Sequence, residues 1–310
     1  MKKIKKVLLF THDKYQKNVD IQKLIRFLKR KKISHELLLQ TLNEIKLHST
    51  GENIKLSSIK KKLSLSSYGL IIVFGGDGLF LSASKVANVL NLPILGINFG
   101  KIGFLVDVDK KDILKKVYEI INGDYIIDKR MQIDAKVTDL NDEKILSTSL
   151  NDVVIYNYGL LKMIQASIFI NDVLINLQRS DGVIISTPTG STAYSMSNGC
   201  PIVSPDANVI SITPISPHTY SHRPIIINSN EKIRIVVDKK SIKNTLVTFD
   251  GSNNLNIPHP KVVEIKKSSK QLMIAHPLEY NYFRILNQKL KWGYSFWQDP
   301  FLQTPNKVIT

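Results

Sequence analysis

Leu70-Ile71-Ile72-Val73-Phe74-Gly75-Gly76-Asp77-Gly78 is the stretch that sets the fold class. Five apolar residues in a row are what a strand covered on both sheet faces looks like. Glycines then stop the run, and Leu79, Ala83, Val86, Ala87 and Leu90 follow on one face of a helix. Pro93 breaks that helix before a further apolar strand, Ile94 to Ile97. Toward the N-terminus, Lys5 to Phe10 reads as a first strand. Ile21, Leu24, Ile25 and Leu28 then give the next helix its buried face, which makes Leu70 to Phe74 the second strand and Ile94 to Ile97 the third. A helix from about Asp112 can end at Gly123. Strands spaced by helices predict an α/β N-terminal domain with a parallel, Rossmann-like sheet.

After about Asp128 the apolar period changes from helical to two. Ile133, Ala135 and Val137 alternate with polar residues, as do Ile164, Ala166, Ile168 and Ile170 before an Asn171-Asp172 turn. Short strands are expected at Gly182–Ser186, Val209–Thr213, Ile225–Ile227, Lys232–Val237, Leu246–Phe249, Val262–Ile265 and Leu272–Ala275, which predicts a β-rich sandwich or closed sheet. From Pro277 the chain regains helical and aromatic character and is expected to return to the first domain. The expected division is residues 1–128 plus 278–300 for the α/β domain and 129–277 for the β-rich C-terminal sandwich.

The chain has 310 residues with 43% hydrophobic and 22% charged residues, a composition of ordinary globular domains. It lacks the long apolar run of a spanning helix, and Val7 to Phe10 is too short for a signal core, so the expected location is cytoplasmic and no membrane partner is expected. One cysteine, Cys200, excludes an internal disulfide and any zinc site needing two thiolates, and reads as a small buried residue. The net charge of +17 invites a polyanionic partner. Yet seven of the 43 basic residues are arginine and the rest lysine, in short scattered clusters. Lysine is poorly suited to bidentate readout, so a solvated basic surface is the better reading than a nucleic-acid footprint.

Gly75-Gly76-Asp77-Gly78 stands where a buried strand delivers the chain into a helix, the edge at which open α/β sheets bind ligands. Glycines there admit a phosphate to the backbone amides. A carboxylate repels phosphate, so Asp77 has another role to fill, either orienting a sugar hydroxyl or accepting its proton, with a simple helix cap as the alternative. Leu81 stands where a dinucleotide fingerprint needs its third glycine, and the chain has no GxxxxGK[ST] loop.

The segment Thr187-Pro-Thr-Gly-Ser-Thr-Ala-Tyr194 carries five hydroxyls. Ser191 or Thr192 is placed to cap a helix starting near Ala193, and Tyr194 offers a ring for stacking. An anion or ribose site and a plain capped turn both fit. Arg179-Ser-Asp-Gly182 supplies a guanidinium and a carboxylate; Asn151-Asp152 and Asp250-Gly251 read alone as turns. The seven histidines show no paired ligand spacing, no metal-ligand residue is assigned, and no GxSxG elbow anchors a hydrolase.

Taken in order, GGDG (75–78), GINFGKIGFL (96–105), LNDVVI (150–155), RSDGVIISTPTGSTAYSMSNGCPIVSP (179–205) and PHTYSHRPIII (217–227) resemble the blocks of the NAD kinase family. The resemblance implies transfer of the γ-phosphate of ATP to the 2′-hydroxyl of the adenosine ribose of NAD, with NADP as product. It implies Asp77 as proton acceptor and, as NAD contacts, Asp77, Gly78, Asn151, Asp152, Lys162, Arg179, Asp181, Thr192, Ala193, Tyr194, Ser195, Met196, Ser197 and Ser252. NAD and ATP are the small-molecule partners it implies, with a divalent cation such as magnesium delivered on ATP, and a homo-oligomer. Three residues depart from the family's habit: Asp152 for glutamate, Ser252 for glutamine, and Leu79 for a small polar residue. Alternative readings are a lipid or sugar kinase, which shares only GGDG, and a non-catalytic NADP-binding regulator.

Overall fold

The computed structural model describes residues 3–41, 44–63, 68–99, 103–159, 163–219, 221–251 and 256–291. In the first part, strands Ser34–Gln40, Lys6–His12, Leu70–Gly75 and Ile94–Asn98 lie side by side and all parallel. Alternate residues of each strand leave on opposite faces, and both faces are covered. Val7, Leu9, Ile72 and Phe74 pack under helices Val19–Arg30 and Ile113–Asn122. Leu8, Phe10, Ile71 and Val73 pack against Phe80, Ala83, Val86 and Ala87 of the helix Asp77–Leu90. Both-sided burial is why these strands read as unbroken apolar runs.

Two sequence expectations are corrected here. Leu70–Gly75 is not the second strand: Ser34–Gln40 precedes it, and the antiparallel strands Ile45–Leu47 and Asn53–Ile54 extend the sheet beyond, making it mixed. Ser34, His35 and Glu36 are polar and only Leu37 to Leu39 are buried, so the strand lacks the long apolar signature. Second, Val262–Ile265 and Leu272–Ala275 are the two ends of one strand, Pro260–His276, which shifts register between Lys267 and Gln271.

That long strand joins the two halves of the molecule. Its first half pairs antiparallel with Ile233–Val237, and near its end Ile274 lies parallel beside Ile94. Among the described residues one 13-stranded sheet therefore runs through both parts, and a six-stranded sheet packs on its C-terminal half. Val153, Ile155, Val183, Ile185 and Ile212 of the smaller sheet meet Ile133, Ala135, Ile168, Ile235 and Val263 of the larger, a sandwich core rather than a closed sheet.

A polar cluster locks the joint. Arg130, 2% exposed, donates from Nε to Asp128 at 2.6 Å and from Nη2 to the Tyr280 hydroxyl at 2.9 Å. His276 is fully buried, stacks on Tyr280 and meets Asp107 Oδ2 through Nδ1 at 2.8 Å. Burial favours neutral forms, but the contacts outweigh it: His276 and Arg130 hold Asp128 below the usual carboxylate range, and Asp107 and Asp128 raise His276. The C-terminal segment returns as expected, with Glu279 paired to Lys116 of the first part and Lys289 over the Phe104 ring.

Candidate active site

Asp77 is the first residue of its helix, and Gly76 is the cap residue with no side-chain cap bond. The carboxylate turns instead to the loop after Ile94–Asn98, accepting from Phe104 N at 2.9 Å and Leu105 N at 3.1 Å. One oxygen takes each amide, so each retains lone-pair capacity. This close approach requires glycine at 103, where a Cβ would stand 1.9 Å from Asp77 Oδ1. A Cβ on Gly76 or Gly78 would meet nothing within 4 Å, so the loop's outer side is open to an incoming group. Leu79, the family departure, folds back on Gly75, where a Cβ would lie 2.6 Å from Leu79 Cδ2.

One helical turn beyond Asp77, Leu81 borders a cavity of about 410 Å³ shared with Asn151, Asp152, Tyr156, Ala193, Tyr194, Thr248, Asp250 and Gly251. Asp250 follows the strand Thr245–Phe249 with φ 54° and folds its carboxylate over the turn before Asp152–Asn157. It accepts from Leu150 N at 3.0 Å, Asn151 N at 2.7 Å and Asp152 N at 3.2 Å. Those amides, and Lys85 at longer range, favour its charge, yet burial dominates and its pKa is raised; part of the residue's surface stays open, but the carboxyl itself is enclosed. Asp152, 4% exposed, is pushed up to about 7 by burial and then by Asp250. The two acids titrate as a coupled pair. Among the described residues Asn151 Oδ1 is buried without a hydrogen-bond partner, an acceptor open to a donor.

The hydroxyl-rich segment differs from expectation. Neither Ser191 nor Thr192 caps the short helix Tyr194–Ser197; its cap residue is Ala193, with no side-chain bond. The hydroxyls bind the turn to itself. Thr187 donates to Leu150 O, Ser191 to Pro188 O, Thr192 to Thr189 O and Ser195 to Gly190 O. Hydroxyls this close to backbone carbonyls are satisfied before any ligand arrives. Gly190 lies against the Asn151 carbonyl, 2.3 Å from where a Cβ would be, which brings the turn to the Asn151-Asp152 corner.

Of the expected site residues, Asn151, Asp152, Ala193 and Tyr194 share the cavity, with Tyr194 47% exposed at its rim. Asp77 and Gly78 begin the helix beside it. Thr192, Met196 and Ser197 lie in the adjoining turn, while Ser195 has no exposed surface. Arg179 and Asp181 are exposed at the end of the edge strand Val173–Ser180 and do not border the cavity. Lys162 and Ser252 fall outside the described residues. Sequence reasoning missed Asp250 and Thr248 as members of the site; the Asp250-Gly251 pair was its only signal.

The chain matches the family model described as ATP-NAD kinase N-terminal domain over residues 3–125 and that described as ATP-NAD kinase C-terminal domain over residues 150–276. A protein named NAD kinase from Teredinibacter turnerae is 42% identical over 226 residues, 72% of this chain and 76% of that protein. One of the same name from Pseudomonas entomophila is 36% identical over 273 residues, 88% and 90% of the two. Among solved structures, yeast NADH kinase complexed with NADH superposes with a TM-score of 0.81 at 21% identity, covering 96% of this chain and 91% of that one. An Archaeoglobus fulgidus NAD kinase in complex with ATP gives 0.71 at 20% identity, covering 92% and 98%.

Proposed function

The chain belongs to the NAD kinase family, and from that premise we propose that it phosphorylates NAD with ATP at the 2′-hydroxyl of the adenosine ribose, Asp77 accepting the hydroxyl proton. The observation that carries the assignment of Asp77 is its tether: a carboxylate held by two loop amides at the open glycine corner keeps a fixed direction while retaining basic lone pairs. Phosphoryl transfer through a loose transition state depends on alignment and charge stabilisation more than on a strong base, because the proton leaves late.

The cavity beside it receives part of NAD. Asn151 Oδ1 accepts from a ribose hydroxyl or amide, and Asp152, titrating near 7, donates or accepts according to its protonation. Tyr194 and Ala193 supply the rim against which a ring stacks. Gly78, Thr192, Ser195, Met196 and Ser197 shape the adjoining backbone, and Lys162 and Ser252 complete the contacts by family resemblance. Thr187, Ser191 and Ser195 act by holding that backbone, since their hydroxyls are already bonded.

Phosphoryl transfer from ATP entails a divalent cation, which neutralises phosphate charge during transfer. Magnesium carried on ATP is bound mainly by phosphate oxygens, with few protein ligands. We keep the division of the chain near residues 128 and 277, which sets Leu81 of the first part against Asn151, Asp152 and Asp250 of the second across the cavity. Arg179 and Asp181 adjoin an edge strand with exposed Val173, Leu174, Ile175 and Leu177, and we assign that edge to a homo-oligomer contact. No helix of the described residues is long and apolar enough to cross a membrane, and we place the enzyme in the cytoplasm. A lipid or sugar kinase is not favoured, since the family match extends through both parts of the chain.

The deciding experiment is NADP formation from NAD and Mg-ATP, read through an NADP-specific dehydrogenase, with Asp77→Asn alongside. The variant is expected to bind NAD and lose turnover by about a hundredfold or more, the contribution of a positioned base. Near-normal kcat in the variant removes Asp77 from that role, and no turnover in the parent chain removes the reaction.

A further inference from the structure

The loop that holds Asp77 and the turn that borders the cavity are tied to each other by enclosed polar side chains, none of which lines the cavity. From Leu105, whose amide binds Asp77, the loop runs through Val106 to Asp107, with Leu105 and Val106 buried. Gly103 N donates to Val106 O at 3.3 Å, and a Cβ on Gly103 would stand 2.6 Å from Val106 Cγ2, so residues 103–106 pack as one piece. Asp107 ends that piece, its Oδ2 meeting His276 Nδ1 at 2.8 Å. His276 Nε2 lies 3.7 Å from Asp128, Asp128 accepts from Arg130 Nε at 2.6 Å, and Arg130 Nη1 donates to Thr189 Oγ1 at 3.4 Å. Tyr280 braces the middle, its ring stacked on His276 and its hydroxyl accepting from Arg130 Nη2.

Thr189 carries this chain into the site. Thr187, Ser191, Thr192 and Ser195 donate to backbone carbonyls, whereas Thr189 makes the turn's one hydrogen bond between side chains among the described residues. Its neighbour Gly190 is pressed on the Asn151 carbonyl, and Gly190 O accepts from Ala193 N and Ser195 Oγ. A shift of Thr189 is therefore passed to Asn151 and Ala193, which line the cavity. Apolar residues of similar volume would hold such a joint as firmly, because pairing buried charges does little more than offset their desolvation. Directional bonds add register, since each accepts a narrow range of geometry.

On the reading that Asp77 is the base and the cavity takes NAD, we propose that His276 and Arg130 are positioning residues for the transfer. His276 fixes the loop that orients Asp77, Arg130 fixes the turn that seats NAD, and Asp128 between them sets the two in register. Alignment is what phosphoryl transfer demands, and small misplacements of reacting groups cost rate steeply.

The test cuts each arm separately in the full chain. Thr189→Val removes the acceptor at nearly constant volume, and is expected to raise KM for NAD by about three- to tenfold with kcat within about twofold. Asp107→Leu with His276→Phe replaces the other pair by apolar groups, which keeps the joint packed, and is expected to lower kcat by about tenfold with KM for NAD within about twofold. Tyr280→Phe weakens the joint without cutting either arm; it is expected to lower the unfolding midpoint and to leave both constants within about twofold. Amide hydrogen exchange without ligand is expected to quicken at residues 187–192 in the first variant and at 103–107 in the second. Unchanged exchange, kcat and KM moving together in both arms, or the same kinetic changes in Tyr280→Phe overturns the proposal. Because exchange is read without NAD, it decides whether the network holds the two sides even if the parent chain fails to phosphorylate NAD.

Discussion

The acids at the joint and the acids at the cavity are both enclosed by protein, and they behave in opposite ways. Asp128 meets Arg130 at 2.6 Å and lies 3.7 Å from His276 Nε2, so its charge is compensated and its pKa falls. Asp152 is buried and faces another carboxylate, Asp250, which Lys85 compensates only at longer range, and its pKa climbs to about 7. Compensated charge holds the two parts of the chain together. Uncompensated charge stores unfavourable free energy where a ligand's hydroxyl or amide donors can relieve it. Arg130 Nη1 also donates to Thr189 Oγ1 at 3.4 Å, so the joint steadies the hydroxyl-rich turn.

The contrast is broken most directly at Arg130. Arg130→Leu leaves Asp128 and the Tyr280 hydroxyl enclosed without their partner, and is expected to lower the free energy of unfolding by about 3–5 kcal/mol in denaturant titrations. A loss below about 1 kcal/mol would mean that the joint's charges are no better compensated than those of the cavity.

At the cavity the sign reverses. Asp152 binds its proton more tightly folded than unfolded, where its value is 3.8. Its stabilising contribution is therefore complete below about pH 4 and is lost as pH rises through about 7. Asp152→Asn removes that slope. The variant is expected to exceed the parent in stability by about 1–2 kcal/mol near pH 8, to match it near pH 4, and to show a raised KM for NAD. Equal destabilisation at both pH values would erase the distinction between the clusters.

The smallest effect sets the baseline for both. Lys136 and Glu264 form a 2.6 Å pair across neighbouring strands, with side chains 40% and 46% exposed. Solvent screens it, and Lys136→Ala is expected to cost under about 1 kcal/mol, with less lost at high salt. A larger cost would show that exposure does not separate this pair from the joint.

Much of this architecture was legible before any coordinates. Leu70 to Phe74 and the glycines after it announce a covered strand feeding a helix, and Ile164 to Ile170 with Asn171-Asp172 announce a hairpin, because burial on two faces or one leaves its period in the residues. Ser34–Gln40 was not legible, since half of it is polar. The hydroxyl-rich segment was legible as a turn but not in its bonding. Hydroxyl counts do not tell whether the oxygens face a ligand or, as Thr187 and Ser195 do, a carbonyl.

By itself the sequence determined the α/β beginning, the β-rich continuation, the family, and Asp77 at the glycine corner, all of which rest on contiguous residues whose spacing carries the signal. Only the tertiary structure decided that Asp250 clamps Leu150, Asn151 and Asp152 from about a hundred residues away, and that Pro260–His276 stitches both parts into one sheet. It alone decided that Lys85, on the helix Asp77–Leu90, comes within electrostatic reach of Asp250. A pKa, a buried unpaired amide and a cavity wall are properties of atoms brought together by folding, and local spacing does not encode which distant residue will arrive opposite.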